Sequence, residues 1–188
     1  EEGTRGIDSY NASSFTGAAY ISGEASLGRM DLTGGVRGEY NVQTIKTVDD
    51  VVGLLKVENP TLSILPFVNA GLNLNDNNIL RLAYSRTVNR PEFRELAPFV
   101  FYDYKLEAGR FGNPNLLPAS IHNLDFRYEM YPRPGETFSL GVFYKHFNDP
   151  IENKTVITTE QPQFTYIYAD FARSYGVELE IRKSLRGM

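Results

Sequence analysis

The stretch from Asn78 to Glu129 decides how the rest of this sequence is interpreted. It begins with the alternating run Ile79-Leu-Arg-Leu-Ala-Tyr-Ser-Arg86 and ends with a second one, Asn123-Leu-Asp-Phe-Arg-Tyr-Glu129. Period-two alternation predicts strands that have one apolar and one polar face. The residues between the two runs are rich in proline and aromatic residues and are too numerous for a tight turn. A very long loop between two strands is rare in a small soluble domain, but it is ordinary in a membrane β-barrel.

The same alternation recurs in five other segments, so that about seven strands are predicted in all. These segments are 13–27, 30–42, 63–74, 138–145 and 175–182. The charges lie on one parity, here named the polar face, which carries Arg37, Glu39, Arg81, Asp125, Arg127, Glu129, Lys145, Glu178, Glu180 and Arg182. The opposite parity, here named the apolar face, must be covered by a second layer or by lipid. We expect it to face lipid at Leu80, Leu82, Leu124, Phe126, Leu140 and Val142.

The connections between the predicted strands alternate between short and long. The short ones fall near 28–29, 75–78 and 132–136, and the long ones fall at about 43–62, 87–120 and 148–163. In an up-and-down antiparallel meander, alternate connections lie at the same end of the sheet. Bacterial outer-membrane barrels have tight periplasmic turns and longer extracellular loops, so we expect the three long connections to be extracellular.

The strand count points to a part of a larger structure. Bacterial single-chain barrels have even numbers of strands, whereas about seven are predicted here. The sequence therefore predicts an all-β fold, an antiparallel meander that is part of a larger transmembrane β-barrel. We expect residues 1–188 to be a partial barrel domain with no plug domain and no signal peptide, since the chain opens on Glu1 rather than on Met.

The composition narrows the classes of function. There are no cysteines, so the chain has neither a disulfide framework nor thiolate metal ligands. The net charge of -4 argues against a nucleic-acid partner. His122 and His146 belong to no metal-ligand spacing, so neither a metal site nor a cofactor site is expected. No nucleophile or phosphate-loop motif is present, which indicates that the chain is not an enzyme.

The candidate ligand-binding residues lie in the connection 87–120. Tyr102, Tyr104, Arg110 and Phe111 combine aromatic rings with a cation, and such side chains can stack on and hydrogen-bond a sugar, a peptide or a chelate. The ordinary alternative is that these groups serve only the folding of the loop. For the arginines and glutamates of segment 90–95 we favour this alternative, in which they pair with one another.

The ordered motifs of this chain resemble the barrel of TonB-dependent outer-membrane receptors, especially those of the Bacteroidetes type. The motifs that carry the resemblance are Leu80 to Phe99, Gly112-Asn-Pro-Asn-Leu-Leu-Pro118, Gly141-Val-Phe-Tyr-Lys145 with Asn148-Asp-Pro-Ile151, and Tyr175-Gly-Val-Glu-Leu-Glu180. The resemblance covers roughly residues 15–185, and it places the chain in the C-terminal part of the barrel.

The resemblance implies a function in transport. Such receptors have a 22-stranded barrel that is filled by a plug domain, and they import a scarce ligand such as an iron chelate, an oligosaccharide or a peptide. The implied partners are outer-membrane lipid, the ligand, the TonB complex through a plug domain absent here, and a surface lipoprotein. The implied location is the outer membrane of a Gram-negative cell.

Two other hypotheses stay open at this point. A soluble β-sandwich binding module would cover the apolar face with a second sheet. An outer-membrane barrel enzyme would place His122 or His146 beside an Asp or Glu at the loop end.

Overall fold

The computed structural model of the protein describes residues 10–49, 53–104, 107–157 and 162–184. Residues 50–52, 105–106 and 158–161, which belong to the three predicted loops, lie outside the described residues. The described elements are β1 (Tyr10–Leu27), β2 (Met30–Asp49), β3 (Gly53–Asn75), β4 (Asn78–Asn89), α1 (Phe93–Leu96), β5 (Val100–Asp103), β6 (Ala108–Phe111), β7 (Ala119–Met130), β8 (Thr137–Asn148), β9 (Ile151–Ile157), β10 (Pro162–Tyr168) and β11 (Phe171–Arg182). None of the described helical residues forms a helix long and apolar enough to span a membrane.

A seven-stranded sheet in the order β1-β2-β3-β4-β7-β8-β11 forms the main body, here named the wall sheet. Every neighbouring pair is antiparallel, which confirms the predicted all-β meander of about seven strands. Tight turns join β1 to β2, β3 to β4 and β7 to β8. In the last of these turns Gly135 has a φ of 83°, a conformation that glycine adopts without steric cost.

The register of the wall sheet brings the apolar parity of successive strands together. Leu82 lies opposite Ala70 on one side and Phe126 on the other, and Phe126 lies opposite Val142. Residues directly opposite each other share a face of the sheet. The predicted residues Leu82, Leu124, Phe126, Leu140 and Val142 are 40–50% exposed, and Leu80 is partly buried.

No second sheet covers the apolar face within the part of the chain that the structure describes. The smaller second sheet packs instead on the polar parity, as described below. The sandwich hypothesis required a covering layer over the apolar face, so it is wrong for these residues. A continuous exposed apolar surface of this extent indicates a contact with a membrane or with another protein.

The prediction of a loop at 43–62 is wrong, because most of this segment is strand. β2 continues to Asp49 and β3 begins at Gly53, and the two stay paired from Asp49 and Gly53 down to Met30 and Leu72. Pro60 lies within β3. The pairing of β3 with β4 runs only from Phe67 to Asn75, so the outer half of β3 is an edge, where proline is tolerated.

The other two long connections contain structure that the prediction did not anticipate. The connection predicted at 87–120 spans residues 90–118 and holds α1, β5 and β6, while the one predicted at 148–163 holds β9 and β10 and extends to Asp170. These strands form a second sheet in the order β5-β6-β10-β9, here named the loop sheet. β6 and β10 pair in parallel, with Phe164 opposite Arg110 and Thr165 opposite Phe111.

The loop sheet and its flanking residues pack on the polar parity of β2 and β3. Ile45, Leu96, Leu116 and Tyr166 form the buried core, and each is at most 7% exposed. Ile45 lies on the same parity as Arg37 and Glu39, but it is farther from the tight turns. The polar face thus changes from charged to apolar where the loop sheet covers it.

The backbone around Gly35 of β2 leaves no space for a side chain. A Cβ at this position would lie 2.5 Å from the carbonyl oxygen of Ile21 and 2.9 Å from the Cα of Ser22, whereas a Cβ at Gly23 would meet nothing within 4 Å. Overpacking against backbone costs about 1–3 kcal/mol. Gly35→Ala is therefore expected to lower the urea midpoint of unfolding of the full-length protein in lipid vesicles. Gly23→Ala is the matched control, and an equal effect of both changes would contradict this packing.

Candidate ligand site on the loop sheet

Segment 112–118 holds the loop sheet against the wall sheet. The Asn59 Nδ2 of β3 donates to the Leu116 carbonyl at 2.6 Å, and the Gln43 Nε2 of β2 donates to the Pro91 carbonyl at 2.8 Å. The Asn113 Nδ2 donates to the Tyr166 carbonyl at 3.0 Å. Because the bonds made by Leu116 and Asn113 are buried or partly buried and reach β3 and β10, segment 112–118 acts as a structural tie rather than as a plain turn.

The glycine of this tie is required by close backbone approach. A Cβ at Gly112 would lie 2.2 Å from the Ala97 carbonyl oxygen and 2.8 Å from that of Arg94. The Asn113 amide donates to the Glu95 carbonyl at 2.5 Å, so the tie also fixes α1. The Tyr168 hydroxyl donates to the Asn115 carbonyl and accepts from the Leu117 amide. Both long connections are therefore held by the same few residues.

The arginines and glutamates of segment 90–95 do not pair with one another as predicted. Arg90 reaches the wall sheet and pairs with Glu39 at 2.5 Å, and Glu39 also pairs with Arg37 at 2.6 Å. Glu95 accepts from the Glu92 amide at 2.8 Å as part of a capping box at α1. The Arg90–Glu39 pair could not be predicted from the sequence, because the two residues are distant along the chain.

A groove of about 460 Å³ lies on the loop sheet, and two connections contribute to it. Its lining residues are Arg94, Phe101, Tyr102, Asp103, Tyr104, Arg110 and Tyr166. The predicted residues Tyr102, Tyr104 and Arg110 are thus brought together. Phe111 is not among the lining residues; it lies opposite Val100 and Thr165, on the other parity of β6 from Arg110.

Arg110 is fixed in the centre of the groove. It donates to the Tyr166 hydroxyl at 3.1 Å and lies 3.4 Å from the Asp103 carboxylate. Its guanidinium carbon is 5.5 Å from the centre of the Tyr166 ring, within cation–π distance. The Arg110 Nε is buried and has no hydrogen-bond partner. The arginine is therefore oriented while part of its donor capacity is unused.

The remaining lining residues present aromatic surface and a second cation. The rings of Tyr102 and Tyr104 meet edge to face at 5.2 Å, and their side chains are 51% and 80% exposed. Arg94 lies 5.6 Å above the Phe101 ring. Among the described ion pairs none involves Arg94, whereas Arg110 is paired with Asp103. Within the described part of the chain, the groove therefore carries one positive charge without an ion-pair partner beside exposed rings, which suits a planar, anionic ligand.

Sequence reasoning missed Phe101, Asp103 and Tyr166 as lining residues, and it assigned Arg94, which also lines the groove, only to the folding of the loop. The run Gln163-Phe-Thr-Tyr-Ile-Tyr168 alternates as a strand does, and this pattern was the available signal for β10. Nothing in the sequence indicated that β10 would pair with β6 in the other connection.

Among the described residues, neither histidine bonds to an acidic side chain of the kind that the enzyme hypothesis required. The His122 Nδ1 lies 2.9 Å from the Tyr84 hydroxyl, and the His146 Nε2 lies 3.1 Å from the Asn148 Oδ1. No group of three or more acidic or histidine side chains among the described residues could hold a metal ion.

Asn59 provides a test of the tie. Asn59→Ala removes the donor to the Leu116 carbonyl, and an unsatisfied buried polar group costs about 1–3 kcal/mol. We expect the local opening of residues 90–118 to become roughly tenfold or more frequent, measured as faster amide hydrogen exchange in those peptides. Asn69→Ala is the control, because Asn69 is exposed on the same face of β3. Unchanged exchange in Asn59→Ala would show that the tie does not depend on this bond.

Three solved structures are similar to this chain in fold. The siderophore receptor PirA from Pseudomonas aeruginosa matches with a TM-score of 0.63 and 15% identity, over 94% of this chain and 41% of that one. A double mutant of the Serratia marcescens hemophore receptor HasR, in complex with its hemophore HasA and heme, matches with a TM-score of 0.77 and 10% identity, over 90% and 32%. A mutant ferric enterobactin receptor PfeA from Pseudomonas aeruginosa, in complex with enterobactin, matches with a TM-score of 0.58 and 12% identity, over 90% and 33%.

The chain spans about a third to two fifths of the length of these receptors. No protein with a curated description matches it in sequence. A family model described as the outer membrane protein beta-barrel family matches residues 8–186. The chain belongs to that family, and it is a protein of the outer membrane.

Proposed function

We propose that this chain forms the C-terminal part of the barrel of a TonB-dependent outer-membrane receptor of the Bacteroidetes type. In this proposal the receptor binds and imports a scarce, anionic ligand, with an iron chelate as the first candidate, and it has no catalytic activity. The TonB complex acts through a plug domain, and a surface lipoprotein is a further candidate partner. Similarity in fold to receptors for siderophores, heme and enterobactin supports this proposal.

One observation carries the proposal beyond the fold. The loop sheet, built from two connections, covers the polar face of β2 and β3 and presents the groove around Arg110. A transport barrel needs its ligand site at the mouth of the lumen. Since lumen-facing side chains are polar and lipid-facing ones apolar, we assign the polar face to the lumen and the loop end to the extracellular side.

The groove makes this proposal testable. Arg110→Ala removes a central cation, and one charge-assisted hydrogen bond contributes enough free energy to change affinity about tenfold or more. We expect ferric enterobactin or heme, whichever the full-length protein binds, to lose affinity by that factor in equilibrium binding. Tyr102→Ala is expected to weaken binding through lost stacking.

Arg133→Ala is the matched control, because Arg133 lies in the tight turn at the opposite end of the wall sheet. Binding that survives Arg110→Ala unchanged would remove the groove as the ligand site. Binding of neither chelate, with retention of an oligosaccharide or a peptide, would replace the ligand class and leave the receptor function in place.

The lipid-facing assignment of Leu80, Leu82, Leu124, Phe126, Leu140 and Val142 has its own test. Leu82→Arg would place a charge in hydrocarbon, which costs about 2–4 kcal/mol near the middle of the bilayer. We expect lower stability of the full-length protein in vesicles, measured by urea unfolding. The adjacent change Ala83→Arg lies on the polar face and is expected to cost much less. A larger loss from Ala83→Arg would reverse the assignment of the two faces.

A further inference from the structure

The apolar face changes character toward the loop end of four neighbouring strands. Arg86 of β4 lies opposite His122 of β7, His122 lies opposite His146 of β8, and His146 lies opposite Arg173 of β11. These four residues, here named the basic row, share a face with Leu82, Phe126 and Val142 because they lie an even number of residues away on each strand. Side chains that project from this face project toward lipid in the proposed orientation.

The row next to the basic row, on the side of the tight turns, is mainly aromatic. It consists of Tyr84, Leu124, Tyr144 and Tyr175, which are opposite one another in the same order. Tyrosines concentrate at the boundary between hydrocarbon and head groups, because the ring is apolar and the hydroxyl is polar. In the proposed orientation, the basic row therefore lies next to this boundary, on the side of the head groups.

No acidic residue shares this face on the four strands. On the described residues of these strands, the face consists of Asn78, Leu80, Leu82, Tyr84, Arg86 and Val88, then Ser120, His122, Leu124, Phe126, Tyr128 and Met130, then Phe138, Leu140, Val142, Tyr144, His146 and Asn148, and then Phe171, Arg173, Tyr175, Val177, Leu179 and Ile181. The polar face of the same strands differs, since Arg81 pairs with Glu129 and Arg127 pairs with Glu178.

The side chains of the basic row are held by aromatic and neutral groups. Phe171 stacks on His146 at 6.0 Å and lies 4.9 Å below the Arg173 guanidinium. His122 and His146 bond to the Tyr84 hydroxyl and the Asn148 amide oxygen. The Arg86 Nε is buried without a hydrogen-bond partner. The row thus has positive charge and unused donor capacity. None of the ion pairs among the described residues involves a residue of the basic row.

We propose that the basic row is a binding site for the anionic head group of an outer-leaflet lipid, specifically a phosphorylated glycolipid. This inference rests on the proposed lipid-facing orientation of the apolar face. Arginine binds phosphate through its planar set of donors, and the ring nitrogens of His122 and His146 lie in the same row between the two arginines. The acyl chains of the same lipid would lie along Tyr84, Leu82 and their neighbours, so a single amphipathic molecule matches both parts of the surface.

The test compares two double variants of the full-length protein in phosphatidylcholine nanodiscs that contain lipid A. Arg86→Gln/Arg173→Gln removes two charges from the basic row, and Arg127→Gln/Lys145→Gln removes two from the polar face. Native mass spectrometry measures bound lipid A. The wild type and the polar-face variant are expected to retain it, and the basic-row variant is expected to bind it about tenfold or more weakly. Arg86→Lys/Arg173→Lys keeps the charge and is expected to retain part of the binding.

Two further arms identify the ligand chemistry. Dephosphorylated lipid A is expected to bind about tenfold or more weakly to the wild type than lipid A does. Inorganic phosphate at millimolar concentration is expected not to displace lipid A. Displacement by inorganic phosphate would overturn the lipid as the occupant, and equal binding of the dephosphorylated lipid would overturn the role of the phosphate.

The remaining outcomes separate this inference from the function on which it rests. Equal loss in both double variants would indicate an effect of net charge and overturn the site. No loss in either would overturn the site and leave the orientation to be decided by Leu82→Arg and Ala83→Arg. Loss in the polar-face variant alone would overturn the site and the orientation together.

Discussion

Backbone hydrogen bonding is the constraint on which the rest of this structure depends. In a hydrocarbon layer every N–H and C=O group must be paired within the protein, and the antiparallel ladders of the wall sheet pair them from strand to strand. The same ladders fix the register, and the register fixes which side chains share a face of the sheet. A slip of one residue would move Leu82 to the polar face and Arg81 to the apolar face. The described ladders shift only between Asn73 and Asn75, beside a tight turn, where a shift leaves the faces of the long strands unchanged.

The alternation that keeps the apolar face continuous also places, on the opposite parity of β2, the side chains on which the loop sheet packs. Near the tight turns the polar face carries ion pairs such as Arg81–Glu129. Farther along β2 the same parity carries Gln43, Ile45 and Thr47, which are at most 7% exposed. Ile45 supplies apolar contact, while Gln43 satisfies a loop carbonyl. The wall sheet therefore presents an apolar face, a charged surface and a docking surface for the loops with one alternating pattern, in which only the residue types change along the strand.

The elements that depend on local pattern could be predicted from the sequence. The seven strands, the tight turns and the charged parity all follow from period two and from turn residues. The errors arise where partners are distant. The segment around Pro60 was assigned to the predicted loop 43–62, because the sequence does not show that this part of β3 lacks pairing with β4. The loop sheet escaped prediction because β6 and β10 lie in different connections, and their parallel pairing leaves no local signal. Tyr102, Tyr104 and Arg110 were identified by residue type alone, whereas Tyr166 and the exclusion of Phe111 required the pairing.

The groove lies on the loop sheet rather than on either face of the wall sheet. The apolar face lacks the donors that would hold an anion over most of its length, and the arginines of the polar face are largely engaged with glutamates. A site with exposed rings beside an available cation therefore needs a third surface. The loop sheet supplies this surface. Phe101 and Tyr102 lie on opposite parities of β5, and both line the groove. Docking through segment 112–118 holds this surface on the wall sheet, so the described lining residues are positioned by the fold itself, as preorganisation of a site requires.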